Sequence, residues 1–221
     1  MKPKKYDYYK LDVGFYPDVM KMCFDDKVFQ QILKDHNITL KANALDTGCA
    51  ETHQIGDGKA GIIILAFNLA EIGDTTAEVF DTIAHEVSHA IDHLAEFIGE
   101  EDGIVGETRA YLTGSLVKQV YKIYEHEKEN HARKASGKVL GQKSKGSGGL
   151  TYKWISSVTG VPDRIVFLNE KCFLVELKTE TGVLSPRQIH VFDELGEAGF
   201  PVYILRNQED IAGFIREATA P

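Results

Sequence analysis

With 221 residues, 43% of them hydrophobic, the chain can bury one large core or two small ones. Its net charge of −8 would speak against nucleic acid if evenly spread, but residues 1–124 hold 12 Lys and Arg against 20 Asp and Glu, whereas residues 125–221 hold 13 of each. Three scattered cysteines, Cys23, Cys49 and Cys172, exclude a disulfide framework and a cysteine-ligated zinc site and suit a reducing cytoplasm. Residues 1–20 carry charge and tyrosine in place of a signal-peptide core, and the longest apolar run, residues 61–66, is too short to cross a bilayer.

Along the chain, apolar spacing predicts a helix over residues 28–36, and residues 39–47 and 61–69 read as strands, the second centred on Ile62-Ile63-Ile64-Leu65. Val79, Phe80, Ile83, Ala84, Val87, Ala90, Ile91 and Leu94 form a broad stripe that predicts a helix over 76–98. Asp74 or Thr75 would cap it, Glu78 would complete a capping box with Thr75, and Gly99 would stop it. Residues 107–124 read as another helix. From 125 to 147 the periodicity collapses among glycines, serines and lysines, which predicts a linker or a frayed helix and a domain boundary. Residues 164–168 and 172–177 follow as a hairpin-like pair of strands. A helix over 186–198 and a strand over 202–205 then complete an α/β core with a parallel crossover.

His85-Glu86-Val87-Ser88-His89 places two imidazoles one helical turn apart, able to share a zinc ion at about 2.0–2.1 Å, with Glu86 set to activate a metal-bound water as general base. A third ligand is required. His93 lies about 12 Å along the axis from His85, too far to share the ion, so Glu107, at the start of the next helix, is the choice. Asp81, Asp92 and His93 suit solvated or supporting roles. The order HEVSH, then Gly106-Glu107-Thr108-Arg109-Ala110-Tyr111, resembles the minimal gluzincin metallopeptidases, including small phage ones, over residues 5–124. That resemblance implies a small sheet beside the HExxH helix, an edge strand at Ile62–Phe67 that pairs with an extended peptide, and Tyr111 as a candidate oxyanion donor.

In the second half, Asp163 followed by Glu176 and Lys178 has the layout of a PD-(D/E)xK nuclease. In a strand, 176 and 178 point to one face, and Asp163 on the neighbouring strand completes a pocket. Two carboxylates and the Leu177 carbonyl offer hard oxygens to Mg²⁺ or Mn²⁺, and Lys178 orients or polarises the nucleophile. The segments Gly149-Leu150-Thr151-Tyr152-Lys153-Trp154, Gly160-Val161-Pro162-Asp163-Arg164, Val175-Glu176-Leu177-Lys178-Thr179 and Leu184-Ser185-Pro186-Arg187-Gln188, in that order, resemble the VRR-NUC family of virus-type replication and repair nucleases over residues 148–210. The resemblance implies catalytic positions at Asp163, Glu176 and Lys178, with Gln188 completing the site. It also implies a first helix bearing a metal-binding glutamate; the aligned stretch, Arg133 to Ser147, has no acid, which leaves Glu127 or Glu129 as substitutes.

The expected organisation is an α+β zincin-like domain at 1–124, a basic glycine-rich linker or frayed helix at 125–147, and an α/β restriction-endonuclease-like domain at 148–221. Residues 128–153 hold Lys128, Arg133, Lys134, Lys138, Lys143, Lys145 and Lys153 against Glu129 alone, so Lys138, Lys143, Lys145 and Lys153 are expected to meet DNA phosphates. The expected function is a metal-dependent DNA nuclease fused to a zinc peptidase, a cytoplasmic homodimer in a bacterial or phage-infected cell. The competing expectation is a DNA-binding or assembly protein whose metal sites are structural, or a protease delivered to DNA by an inactive nuclease domain.

Overall fold

The computed structural model describes residues 8–14, 16, 18–40, 42–45, 48–56, 61–100 and 102–220. The chain divides into two compact units, Met1–Glu127 and Lys128–Pro221.

The first unit is a four-stranded sheet with helices. Strands β1 (Tyr9–Leu11), β2 (Met20–Cys23), β3 (Ala50–Ile55) and β4 (Ile62–Phe67) lie in the order β1-β2-β4-β3. The central pair, β2 and β4, is parallel, and the outer strands run antiparallel to their neighbours. The unbroken run Ile62-Ile63-Ile64-Leu65-Ala66-Phe67 is buried at every position because it feeds two cores. Ile63, Leu65 and Phe67 join one cluster, and Ile62, Ile64 and Ala66 join another with Phe29, Ile32 and Leu33 of α1 (Asp26–Asp35). This strand is hydrogen-bonded on both sides, to β2 and to β3, which overturns the expectation that Ile62–Phe67 is an edge strand with a row of backbone groups free for a peptide. The edges are β1 and β3, and the sequence of β3, AETHQI, is only partly buried. The strand expected at 39–47 falls partly outside the described residues, and none of its described residues is in a strand.

Helix α2 (Thr76–Ile98) begins and ends where its sequence signals stand. Thr75 and Glu78 form a reciprocal capping box, and Gly99 takes the left-handed conformation, φ 81°, that releases the chain. Its face of Val79, Ile83, Val87, Ala90, Ile91 and Leu94 packs into the larger core of the unit.

Helix α3 runs without a break from Gly106 to Gly146, so residues 125–146 are helical and not a linker. The glycine at 137 is a packing device: an added Cβ there would fall 2.5 Å from Nη2 of Arg164. Between Tyr124 and Leu140 no residue of the helix is buried, which is why the apolar periodicity lapses there.

In the second unit, β5 (Leu150–Lys153), β6 (Arg164–Leu168), β7 (Lys171–Leu177) and β8 (Val202–Leu205) lie in that order. Strands β6 and β7 form a hairpin through Asn169 and Glu170, both at positive φ as a type I′ turn requires. Helix α4 (Pro186–Glu197) carries the chain to β8, which pairs parallel with β7. A last helix, α5 (Gln208–Thr219), capped by Asn207, was not expected from sequence. Its Ile211, Phe214 and Ala218 pack with Val166, Val175, Leu177 and Leu205. Among the described residues no helix is long and apolar enough to cross a membrane.

Candidate active site

Register brings the acidic residues of the second unit together. Arg164 pairs with Val175, so Asp163, one residue before β6, faces Glu176 across the hairpin. Two backbone bonds lock this juxtaposition: the Asp163 amide donates to Glu176 Oε2 at 3.1 Å, and the Leu177 amide donates to Asp163 Oδ2 at 3.3 Å. Glu176 is 1% exposed and Lys178 7%. Lys178 Nζ lies 3.3 Å from Glu176 Oε1 and donates to Gln188 Oε1 at 3.0 Å. Burial, and then the charge of Asp163, push the Glu176 carboxyl above its ordinary range, while Lys178 and Gln188 pull it back.

Gln188 owes its place to a cap. Ser185 and Gln188 form the capping box of α4 with Pro186 at its first position, so Gln188 Oε1 accepts from the Ser185 amide at 3.1 Å. The same side chain then reaches back with Nε2 to Glu176 Oε1 at 2.6 Å. The preceding loop is held by Arg206, whose Nη1 donates to the carbonyls of Gly182 at 2.5 Å and Thr179 at 3.3 Å. The cluster Asp163, Glu176, Lys178 and Gln188 is therefore held together by hydrogen bonds. It offers hard oxygen donors with an ammonium at their side, a set that suits Mg²⁺ or Mn²⁺.

Glu127 accepts from the Tyr9 hydroxyl at 2.5 Å. Glu129 lies one turn before Arg133 on α3 and adds to the hold on its positive charge. Sequence reasoning missed Arg133 itself: its Nη2 donates to both Oδ1 and Oδ2 of Asp163, each at 2.9 Å. Burial works against the Arg133 charge, but the hydrogen bonds and charge of Asp163 outweigh it and raise its pKa. Lys138, Lys143 and Lys145 are exposed on α3, and Lys153 is exposed on β5.

In the first unit the two histidines converge and the third expected ligand does not. His85 Nε2 and His89 Nε2 are 3.1 Å apart, near the separation of about 3.3 Å for two nitrogens on one tetrahedral zinc. Glu86 is 6% exposed, and its Oε2 accepts from the Thr52 hydroxyl of β3 at 2.7 Å. Arg109 ties the start of α3 to α2, donating to Asp92 Oδ1 at 2.6 Å and to Ser88 Oγ at 2.8 Å. Glu107 and Tyr111, each two positions from Arg109, are turned about 160° around the helix from it. Glu107 is exposed, and Tyr111, 77% exposed, lines a groove of about 570 Å³ with residues including Leu94, Ile98 and Ile104, away from the histidines. Among the described residues no group of three or more His, Cys, Asp or Glu is placed to hold a metal ion. The expected His85–His89–Glu107 triad is thus present only as its histidine pair, and Tyr111 stands off from it.

Residues 111–209 match the family model of the VRR-NUC domain. A solved structure described as a VRR_NUC domain is 22% identical, with 38% of this chain and 95% of that chain covered and a TM-score of 0.37. No curated protein matches the chain. The similarity thus lies at residues 111–209, where the chain matches the VRR-NUC domain.

Proposed function

We propose that the second unit hydrolyses phosphodiester bonds of DNA with the help of a divalent ion, Mg²⁺ or Mn²⁺, held by Asp163, Glu176 and the Leu177 carbonyl. The observation that carries this reading is the buried Glu176–Lys178–Gln188 network beside Asp163. A bound ion would supply Lewis acidity and a more acidic water. The chain's own residues do the rest. Asp163 and Glu176 face each other across the hairpin, Gln188 fixes the Glu176 carboxylate and the Lys178 ammonium relative to each other, and Lys178 is placed to orient the attacking water and to offset charge developing on the phosphate. Exposed Lys138, Lys143, Lys145 and Lys153 hold the backbone of the substrate. Replication, repair or junction processing in the cytoplasm of a bacterial or phage-infected cell, by a homodimer that cuts opposed strands, is the setting this reading implies.

The test is plasmid nicking with Mg²⁺, Mn²⁺ and EDTA arms, run beside filter binding. Lys178→Ala should stop nicking by about a hundredfold or more while keeping DNA bound. Nicking by Lys178→Ala at the parent's rate would refute the proposal.

One observation favours a metal-binding role in the first unit: the His85–His89 pair at metal-sharing distance. It supports zinc binding by those two residues. Glu86, bonded to Thr52, and Glu107, turned away, do not complete a peptidase site, so no catalytic step is assigned there. Zinc analysis of the parent against His89→Ala decides it; equal zinc content in both would remove the site.

A further inference from the structure

Two acids and two cations meet in the candidate active site, and they differ in how firmly they are held. Lys178 is almost wholly buried and tied to Gln188 and Glu176. Arg133 comes from a different element, α3, and its side chain is 33% exposed. Its Nη2 sits 2.9 Å from both oxygens of Asp163, in the space between the two lone pairs that a cation would take. Each of the two acids already has a cation against it, Arg133 on Asp163 and Lys178 on Glu176. A divalent ion would add two positive charges to the pocket, next to a guanidinium already filling the coordination space of one ligand. One cation must give way, and the exposed one on a long flexible side chain is the one that can.

We propose that Arg133 is a resident counter-ion of the metal pocket, seated on Asp163 in the metal-free protein and displaced by the incoming divalent ion, so that it sets the ion concentration at which the site fills. The inference rests on the reading of Asp163 and Glu176 as metal carboxylates.

The experiment is Mn²⁺ titration of the full chain, without DNA, by calorimetry on the parent and on Arg133→Gln, Arg133→Lys and Asp163→Asn. Arg133→Gln removes the competitor and should bind Mn²⁺ about tenfold tighter than the parent, the scale of a partly exposed charge-assisted bond. Arg133→Lys keeps the charge and should stay within about twofold of the parent. Affinity equal to or weaker than the parent's in Arg133→Gln would overturn the proposal. A second measurement does not depend on that variant folding: the Nε–Hε resonance of Arg133, identified by its loss in Arg133→Lys, should move as Mg²⁺ is added to the parent. A resonance unmoved at saturating Mg²⁺ would overturn the proposal as well. Loss of this binding in Asp163→Asn is expected; its retention would overturn the metal reading, and the proposal with it.

Discussion

Alanine at Gly137 and at Gly141 should have different effects, although both glycines lie inside the same helix. Glycine in a helix interior costs about 1 kcal/mol relative to alanine, partly because the unfolded chain loses freedom when a side chain is added. At Gly141 an added Cβ meets no heavy atom within 4 Å, so the whole gain of about 1 kcal/mol should appear. At Gly137 the Cβ falls 2.5 Å from Nη2, 3.2 Å from Cζ and 3.3 Å from Nε of Arg164, so the guanidinium must move. Its Nε is already buried without a hydrogen bond. Forcing it off its rotamer costs about 0.5–1.5 kcal/mol, which cancels the propensity gain. Gly141→Ala should therefore stabilise and Gly137→Ala should be close to neutral. The single tryptophan, Trp154, donates its amide to the Asp163 carbonyl at 2.8 Å, so its fluorescence reports on the second unit. For a domain of about 60–100 residues, 1 kcal/mol moves the thermal midpoint by roughly 4–8 °C, well above the error of such a melt. Equal stabilisation by both substitutions would refute the packing argument, and destabilisation by Gly141→Ala would refute the helix itself.

Two further outcomes follow from groups already described. Glu176 has its pKa raised above 4.5 by burial and Asp163, so its contribution to stability is complete below that value and is lost as pH rises through its folded pKa; added Mg²⁺ should reverse the loss. The Mg²⁺-induced rise in the Trp154 midpoint should thus be larger at about pH 7.5 than at about pH 5, where protons compete for the carboxylate, and an equal rise at both would contradict the assignment. In the first unit, Thr52→Val removes the hydroxyl from buried Glu86 and should cost about 1–3 kcal/mol in a circular-dichroism melt while leaving nicking intact; an unchanged melt would show that the bond contributes nothing.

Some of this architecture was legible because the local signals agree with the tertiary packing. Thr75, Glu78 and Gly99 mark both ends of α2, and the same capping logic at Ser185 and Gln188 also delivers a side chain to the active site. Asp163, Glu176 and Lys178 could be grouped because side-chain alternation and hairpin register follow from sequence. Other elements were hidden for physical reasons. An apolar run cannot say whether a strand is central or at an edge, so Ile62–Phe67 was misplaced, and polar β3 has no alternation strong enough to announce itself. The full length of α3 is hidden in the sequence because no residue between Tyr124 and Leu140 is buried, and Gly137 stands against Arg164, a contact made from a strand. Arg133 was counted as one basic residue among seven, since nothing local says that it alone reaches a carboxylate. Glu107 was chosen by its place after α2, but helical phase turns it away from the face that Arg109 fastens to Ser88 and Asp92.

The length of α3 decides how the second unit can be cut free. A fragment begun at residue 111, where the family match starts, would display Leu116, Val120 and Tyr124 on its first turns as a sticky apolar stripe, because their core companions, Met22, Leu65 and Val87 among them, would be gone. Beginning at Lys128 removes the stripe but leaves Arg133 only five residues from a fresh, uncapped helix end. Fraying at that end would loosen the grip of Arg133 on Asp163, so the trimmed fragment should fill with metal at lower concentration than the whole chain does.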